Sequence, residues 1–405
     1  MSRVLIAGAG MAALRTAEAL RACGYSDEIV VVGDEKYPPY NRPPLSKEAL
    51  AGEPNLEQLV FRQKASTEDV VWRLGETVVS ADLAGRTVAL AGGEVLAWDA
   101  LVAATGVRAR ILPIPGGDSV RRHVVRTLDD TLELRPLLTP GARVVILGAG
   151  FIGCEVAATA VQLGCEVTCV ALDPLPMLRP LGPEVAAELL RRHEERGITF
   201  RLGVSVSAMA KNGTSVNLQL SDGSTVTADV IVEAVGSVCA VGWLDGNGLD
   251  LRDGVLVDSA LRPLVNGSPV DGVTVVGDLA RFPNPLFGTG EWRVEHWSLP
   301  SDTGRRAGAV LGARLVGEGY EEVVALPFEP IPSFWSDQFD VRIKSYGMPG
   351  LADPDGVRLL EGDLADECVI GYHRGSELMG VVGIGMVRVV NSYRAKVGLG
   401  KIESP

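Results

Sequence analysis

Hydrophobic positions along this chain fall into two recurring patterns. Short β-branched runs, Val4-Leu5-Ile6, Ile29–Val32, Val144-Val145-Ile146-Leu147 and Val273–Val276, have the continuous apolar character of strands buried on both faces. Between them apolar residues recur at three- and four-residue spacing, as in Leu14, Ala17 and Leu20. That spacing predicts a helix over Ala12–Arg21 and a second over Gly153–Gly164. The first stretch therefore reads as strand Val4–Gly8, helix, strand Ile29–Val32, and later strand Leu101–Ala104. Pro38–Lys47 reads as a rigid non-helical excursion, because proline fixes φ. A second stretch repeats the plan, with strand Glu166–Leu172, helix Pro183–Arg196 and alternating strands Ser215–Leu220 and Val226–Val232. A strand at Val273–Val276 and a helix carrying Arg305, Arg306 and Arg314 follow. The last 85 residues differ: Val341–Tyr346 alternates, Val369–His373 and Leu378–Val382 form a hairpin around Arg374–Glu377, and a terminal helix is expected over Asn391–Val397.

Two glycine loops sit at the strand-to-helix junctions, Gly8-Ala9-Gly10-Met11-Ala12-Ala13 and Gly148-Ala149-Gly150-Phe151-Ile152-Gly153. A glycine loop after a buried strand lets backbone N–H groups approach a pyrophosphate at a helix N-terminus. One such loop is weak evidence of a nucleotide. Two in matching contexts imply two dinucleotides on one chain, with electrons passed between them. The echo of Ala104-Thr105-Gly106 in Ala234-Val235-Gly236 makes internal duplication the simplest account. A carboxylate about twenty residues past the first loop, Asp34 or Glu35, is placed to accept ribose hydroxyls.

Composition narrows the class. With 405 residues, 46% hydrophobic and 22% charged, the chain has the makeup of a two- or three-domain α/β protein. A net charge of −13 argues against non-specific nucleic-acid binding. No run is apolar for long enough to span a membrane, and the N-terminus lacks a signal-peptide pattern, so a cytoplasmic location is expected. The six cysteines contain no C-x-x-C pair and read as buried structural thiols, with Cys165 and Cys169 able to share a strand face. No metal site is expected.

The two loops, Arg42–Lys47 (Arg-Pro-Pro-Leu-Ser-Lys), the Val276-Gly277-Asp278 strand end and the Phe334–Gln338 block (Phe-Trp-Ser-Asp-Gln) together carry a family resemblance. The chain resembles the oxygenase-coupled FAD-dependent NAD(P)H:ferredoxin reductases, the group of putidaredoxin reductase and the biphenyl and toluene dioxygenase reductases. The resemblance covers nearly the whole chain and is loosest after about residue 347. It implies an α/β fold of two Rossmann-like dinucleotide-binding domains, for FAD and NAD, plus a small C-terminal α+β domain covering the flavin. This is a glutathione reductase-like architecture without the redox disulfide: the C-x4-C of dithiol flavoenzymes is replaced by the segment around Arg42–Lys47. The domains expected are 1–111 with 241–320 for FAD, 112–240 for NAD(P)H, and 321–405.

The resemblance also implies roles. FAD is held by Gly8, Gly10, Met11, Ala12, Ala13, Asp34, Glu35, Arg42, Val79, Thr105, Gly106 and Arg126, with Gly277 and Asp278 at the ribityl chain and Glu295, His296 and Trp297 completing that set. Lys47 lies at the flavin edge paired with Glu155, where a cation favours negative charge on the ring. Trp297 and Trp335 flank the isoalloxazine or nicotinamide, and these four form the catalytic group. NAD(P)H lies on Gly148, Gly150, Phe151, Ile152, Gly153 and Gly236. At the position where NADH-using relatives carry a Glu, this chain has Ala171, and Asp173 is left to reach the ribose, a weak pointer to NADH. Arg62, Arg305 and Lys344 match positions that dock an acidic iron–sulfur ferredoxin serving a cytochrome P450 or Rieske oxygenase. Alternatives on the same scaffold are a rubredoxin or nitrite-system reductase, or a redox-responsive binding protein like apoptosis-inducing factor.

Overall fold

The computed structural model describes residues 2–398, which form two compact units. Of the described residues, the first comprises 2–41, 56–108 and 239–334; the second comprises 42–55, 109–238 and 335–398. Segment 42–55, read from sequence with the first domain, packs in the second unit.

In the first unit a five-stranded parallel sheet runs in the spatial order Val273–Val275, Ala100–Ala103, Arg3–Ala7, Glu28–Gly33, Val71–Leu74. Leu5, Ile6, Val31, Leu101 and Val102 are fully buried, as expected of central parallel strands. Helix Met11–Ala22 leads off the first strand and packs along Leu299–Val316. The seam is glycine, spaced every four residues: a Cβ on Gly304, Gly308 or Gly312 would fall 2.6 Å from the Ala12 carbonyl oxygen, 2.5 Å from Ala19 Cβ and 2.6 Å from Cys23 Cβ. A three-stranded antiparallel meander, Val78–Asp82, Thr87–Leu90 and Val95–Ala97, connects the parallel strands Val71–Leu74 and Ala100–Ala103.

The second unit repeats this plan. Its parallel sheet has the order Ile198–Leu202, Glu166–Ala171, Arg143–Leu147, Val230–Glu233, and a single bridge from His123 to Val232 extends it. A second meander, Val206–Asn212, Ser215–Leu220 and Thr225–Ala228, occupies the equivalent connection. Beside it lies a five-stranded sheet ordered Ser333–Gln338, Val341–Gly347, Glu377–Ile384, Cys368–Arg374, Val357–Gly362. Its two hairpin strands, Cys368–Arg374 and Glu377–Ile384, are nearly continuously buried.

Four local expectations change. The run Val226–Val232 is two strands, broken at Asp229, whose carboxylate takes a 2.7 Å bond from Arg143 where the chain leaves the meander for the parallel sheet. Pro43–Ser46 forms a 3₁₀ turn, since proline is compatible with the first positions of a helical turn. The terminal helix is Val387–Tyr393, followed by a 3₁₀ turn at Arg394–Lys396. Cys165 precedes its strand rather than sharing it, and Cys23 is exposed while Cys154, Cys165, Cys169 and Cys368 are buried. Among the described residues no helix is long and apolar enough to cross a membrane, and no His/Cys/Asp/Glu cluster could hold a metal.

Candidate functional site

Each unit builds a glycine-lined cradle at the junction of its first strand and helix, and the two agree closely. Gly8 has φ +110° and Gly148 has φ +105°. Their N–H groups bond back to the next strand, at Val32 O (2.7 Å) and Val170 O (2.8 Å). A Cβ at Gly8 would lie 2.2 Å from Ala104 O, and one at Gly148 2.3 Å from Ala234 O, so only glycine fits either position. Gly10 and Gly150 are the N-caps of 12-residue helices; neither helix has a side-chain cap, and nothing lies within 4 Å of either added Cβ. A glycine N-cap supplies no side-chain acceptor to the first N–H groups of either helix, and the space beside it is open, with the helix dipole favouring an anion. At the third loop position Gly153 abuts Gly148 O, whereas Ala13 is accommodated fully buried. Both cradles fit a dinucleotide pyrophosphate. Met11, Ala12, Phe151 and Ile152 open the two helices, with Ile152 half exposed.

Around the first cradle, Asp34 follows strand Glu28–Gly33 and is exposed, 3.6 Å from Arg108. Glu35 takes a 2.5 Å bond from the Tyr40 hydroxyl, which leaves Asp34 the more available carboxylate. Thr105 donates to Ala240 O (2.7 Å) and accepts from Trp243 Nε1 (3.1 Å), fixing the turn in which Gly106 has φ +65°. Gly277 (φ +68°) donates its N–H to Thr303 Oγ1 (2.9 Å), placing Asp278 at the end of strand Val273–Val275. Trp297 is partly exposed and donates to Asn41 Oδ1 (3.0 Å); Glu295 pairs with Arg293 (2.7 Å). His296 packs tilted at 60° against Phe334, ring centroids 4.8 Å apart, with a buried, unpartnered Nδ1, and burial pushes its pKa down to about 4. Val79 lies half exposed on the meander, and Arg62 and Arg305 are exposed on this unit, Arg305 3.6 Å from Asp302.

The second unit holds the Lys47–Glu155 pair. Both side chains are over nine-tenths buried, with Nζ 2.7 Å from Oε2. The same oxygen accepts from Ser46 Oγ (2.5 Å), and Oε1 accepts from Ser336 Oγ (2.6 Å). Ser46 sits in the 3₁₀ turn and Glu155 in the first helical turns after the second cradle, so the Arg42–Lys47 segment delivers an ammonium directly to this helix. Arg42 donates to Arg126 O (2.7 Å), anchoring the segment. Asp173 is bonded to Arg179 (3.1 Å) just past strand Glu166–Ala171, and Gly236 (φ +94°) lies beyond Val230–Glu233. Lys344 lies over the rings of Trp335 (5.6 Å) and Tyr346 (5.1 Å) in an open groove of about 330 Å³; burial and then Arg394 hold its pKa below the usual lysine range. Sequence reasoning missed Ser46 and Ser336, which bond Glu155, and Gln338 and His193, which extend the chain beyond Ser336. The signal available was the alternation within Trp335–Gln338, where Ser336 and Gln338 are fully buried polar residues.

Residues 2–300 match the family model described as pyridine nucleotide-disulphide oxidoreductase. The chain is 35% identical to the ferredoxin--NAD(+) reductase component of the anthranilate 1,2-dioxygenase system of Burkholderia cepacia, over 99% of this chain and 95% of that protein. A crystal structure of a ferredoxin reductase from Rhodopseudomonas palustris superposes with TM-score 0.87 at 34% identity, covering 97% and 94% of the two chains. The reductase in the covalent putidaredoxin reductase–putidaredoxin complex gives 0.86 at 27% identity, covering 98% of this chain and 93% of that one. With two matched glycine cradles and this likeness over its whole length, the chain belongs to the pyridine nucleotide-disulphide oxidoreductase family.

Proposed function

We propose that this chain is an FAD-containing NAD(P)H:ferredoxin reductase that delivers electrons to an iron–sulfur protein serving an oxygenase. The observation that carries the reading is the matched pair of cradles, one per unit, each with a left-handed glycine closed against a backbone carbonyl and an open helix N-terminus. FAD is assigned to the Gly8 cradle and NAD(P)H to the Gly148 cradle. A bound flavin supplies the conversion of a two-electron hydride into single electrons; the protein supplies orientation and charge. In this assignment Asp34 takes the adenosine ribose, Asp278 the ribityl hydroxyls, and Trp297 and Trp335 flank the rings. Lys47 presents its ammonium, fixed by Glu155, where negative charge develops. A cytoplasmic location fits this role.

NADH is the preferred coenzyme in this reading, with Asp173 accepting the ribose hydroxyls. Its ion pair with Arg179 is exposed on the arginine side, and such pairs are worth about 0–1 kcal/mol, so the carboxylate is readily released. Comparing kcat/KM for the two coenzymes checks this; a strong NADPH preference would instead assign Arg179 to the 2′-phosphate. Arg62, Arg305 and Lys344 are the cations proposed to meet an acidic ferredoxin. Turnover with a [2Fe–2S] ferredoxin should then fall steeply as salt rises, because steering between charged surfaces is screened.

The decisive experiment is anaerobic mixing of the purified protein with NADH and then with ferredoxin. The expected result is a yellow protein that bleaches with NADH and recovers its colour with ferredoxin. A colourless protein unable to take up FAD refutes the assignment. Bleaching without onward transfer would favour a redox-responsive binding protein.

A further inference from the structure

Glu155 is the end of a longer buried chain, and the donors in that chain all point one way. Ser336 Oγ is 2.6 Å from Glu155 Oε1, Gln338 Nε2 is 2.9 Å from Ser336 Oγ, and His193 Nε2 is 2.7 Å from Gln338 Oε1. Ser336, Gln338 and His193 are all fully buried. The remaining His193 nitrogen, Nδ1, faces the carbonyl of Leu189.

The direction follows from what each group can donate. A carboxylate only accepts, so Ser336 must spend its single hydroxyl proton on Glu155. Ser336 can then only accept from Gln338, which turns the NH₂ of the carboxamide toward Ser336 and toward Met177 Sδ (3.4 Å), both acceptors. The carboxamide oxygen is left facing His193 Nε2 while the Leu189 carbonyl faces Nδ1, so two acceptors compete for the ring proton. The Leu189 carbonyl lies inside helix Pro183–Glu195, where a backbone N–H serves it as well, so the carboxamide oxygen has the greater need of the donor. Burial holds the His193 pKa below its ordinary value, against the raising effect of its hydrogen bonds to Leu189 and Gln338, which favours the neutral ring with a single proton to place. A carboxamide does not hand a proton on. It turns over, so this chain transmits orientation.

We propose that Ser336, Gln338 and His193 are positioning residues for the Lys47–Glu155 pair, joined in a one-way hydrogen-bond chain that ties the His193 tautomer to the charge on Glu155. While Glu155 is a carboxylate, its Oε1 is pinned by Ser336 and its Oε2 is left to Lys47 and Ser46. With a carboxamide at position 155, the oxygen stays with Lys47 and the NH₂ donates to Ser336. The serine proton then turns to Gln338, the Gln338 amide flips, and its NH₂ meets His193 Nε2. The ring proton moves to Nδ1, where the Leu189 carbonyl accepts it.

Ring ¹⁵N NMR of the holoenzyme, with its four histidines labelled, tests this at pH 7. The wild-type protein should show His193 with a protonated Nε2 and a bare Nδ1; Glu155→Gln should exchange the two. In Gln338→Leu the Nδ1–H form is expected whatever stands at 155. A wild-type Nδ1–H tautomer, a doubly protonated ring, or a tautomer indifferent to Glu155→Gln overturns the proposal, and the first two need no variant. The proposal takes the role of the Lys47–Glu155 pair from the proposed function, but its readout does not pass through electron transfer. If Lys47→Met leaves flavin reduction unchanged while Glu155→Gln still exchanges the tautomers, the pair's role in the reaction fails and the chain stands.

Discussion

Lys47→Met tests the central pair most directly. The substitution keeps most of the aliphatic stem and removes the ammonium, leaving Glu155 buried with two hydroxyl donors and no cation in contact. Breaking a buried ion pair from one side costs about 3–5 kcal/mol, because the remaining charge is uncompensated. The bonds from Ser46 and Ser336, each of a kind worth about 1.5–3 kcal/mol to a charged group, hold the loss toward the lower end. For a unit of roughly 200 residues, at about 2–4 °C per kcal/mol, a loss of about 3 kcal/mol should lower the melting temperature by about 6–12 °C. The double variant Lys47→Met/Glu155→Gln removes both charges and should recover most of the loss, to within about 1–2 kcal/mol of wild type. Urea unfolding followed by circular dichroism, at fixed FAD concentration so that ligand linkage is constant, measures all the members of the cycle. Additive losses from the two single substitutions would refute the reasoning, as would a Lys47→Met effect that vanishes in high salt, where only exposed charges are screened.

The two cradles should fail independently: Gly148→Ala should raise KM for NADH at least about tenfold with FAD content intact, and Gly8→Ala should yield protein lacking flavin, both because a Cβ would enter carbonyl contact at a left-handed φ. Loss of FAD in Gly148→Ala would contradict the assignment of nucleotides to cradles. Gly308→Ala should destabilise by about 1–3 kcal/mol despite alanine's higher helix propensity, since the methyl would lie 2.5 Å from Ala19 Cβ and 2.7 Å from Thr16 O; an increase in melting temperature would show that the seam can open. Because the folded pKa of His296 is depressed to about 4, its contribution is complete above about pH 6.5, the unfolded value, and is lost as pH falls toward 4. His296→Leu should therefore flatten the stability profile between those limits, as read by urea midpoints across pH.

The parts legible from sequence were those with local causes. Val4-Leu5-Ile6 before Gly8 and Val144–Leu147 before Gly148 need only a buried strand and a turn that demands glycine, and both cradles lie where the pattern put them. Lys47 and Glu155, 108 positions apart, came from a family resemblance, since spacing carries no trace of a pair made by the fold. Ser336 bonds across 181 positions, and a serine in a polar-aromatic block looks like surface until its partner is known. The meander at Val78–Ala97 was missed because its short strands mix exposed Val79 and Val95 with buried Val88 and Leu90. At the C-terminus Val387–Tyr393 opens with three valines in four residues, a composition closer to strand than helix.

The glycine-spaced seam has a consequence for how the protein is made. Its two helices, Met11–Ala22 and Leu299–Val316, leave the ribosome nearly 280 codons apart. At about 5–20 residues per second, the first helix waits on the order of 15–55 s for its mate. Through that interval the nascent amino-terminal half keeps an uncovered groove over Thr16 and Ala19 and lacks the sheet's Val273–Val275 edge. Folding of this unit is thus timed by the last third of translation, and chains released before Leu299 carry a ready contact for holdase chaperones.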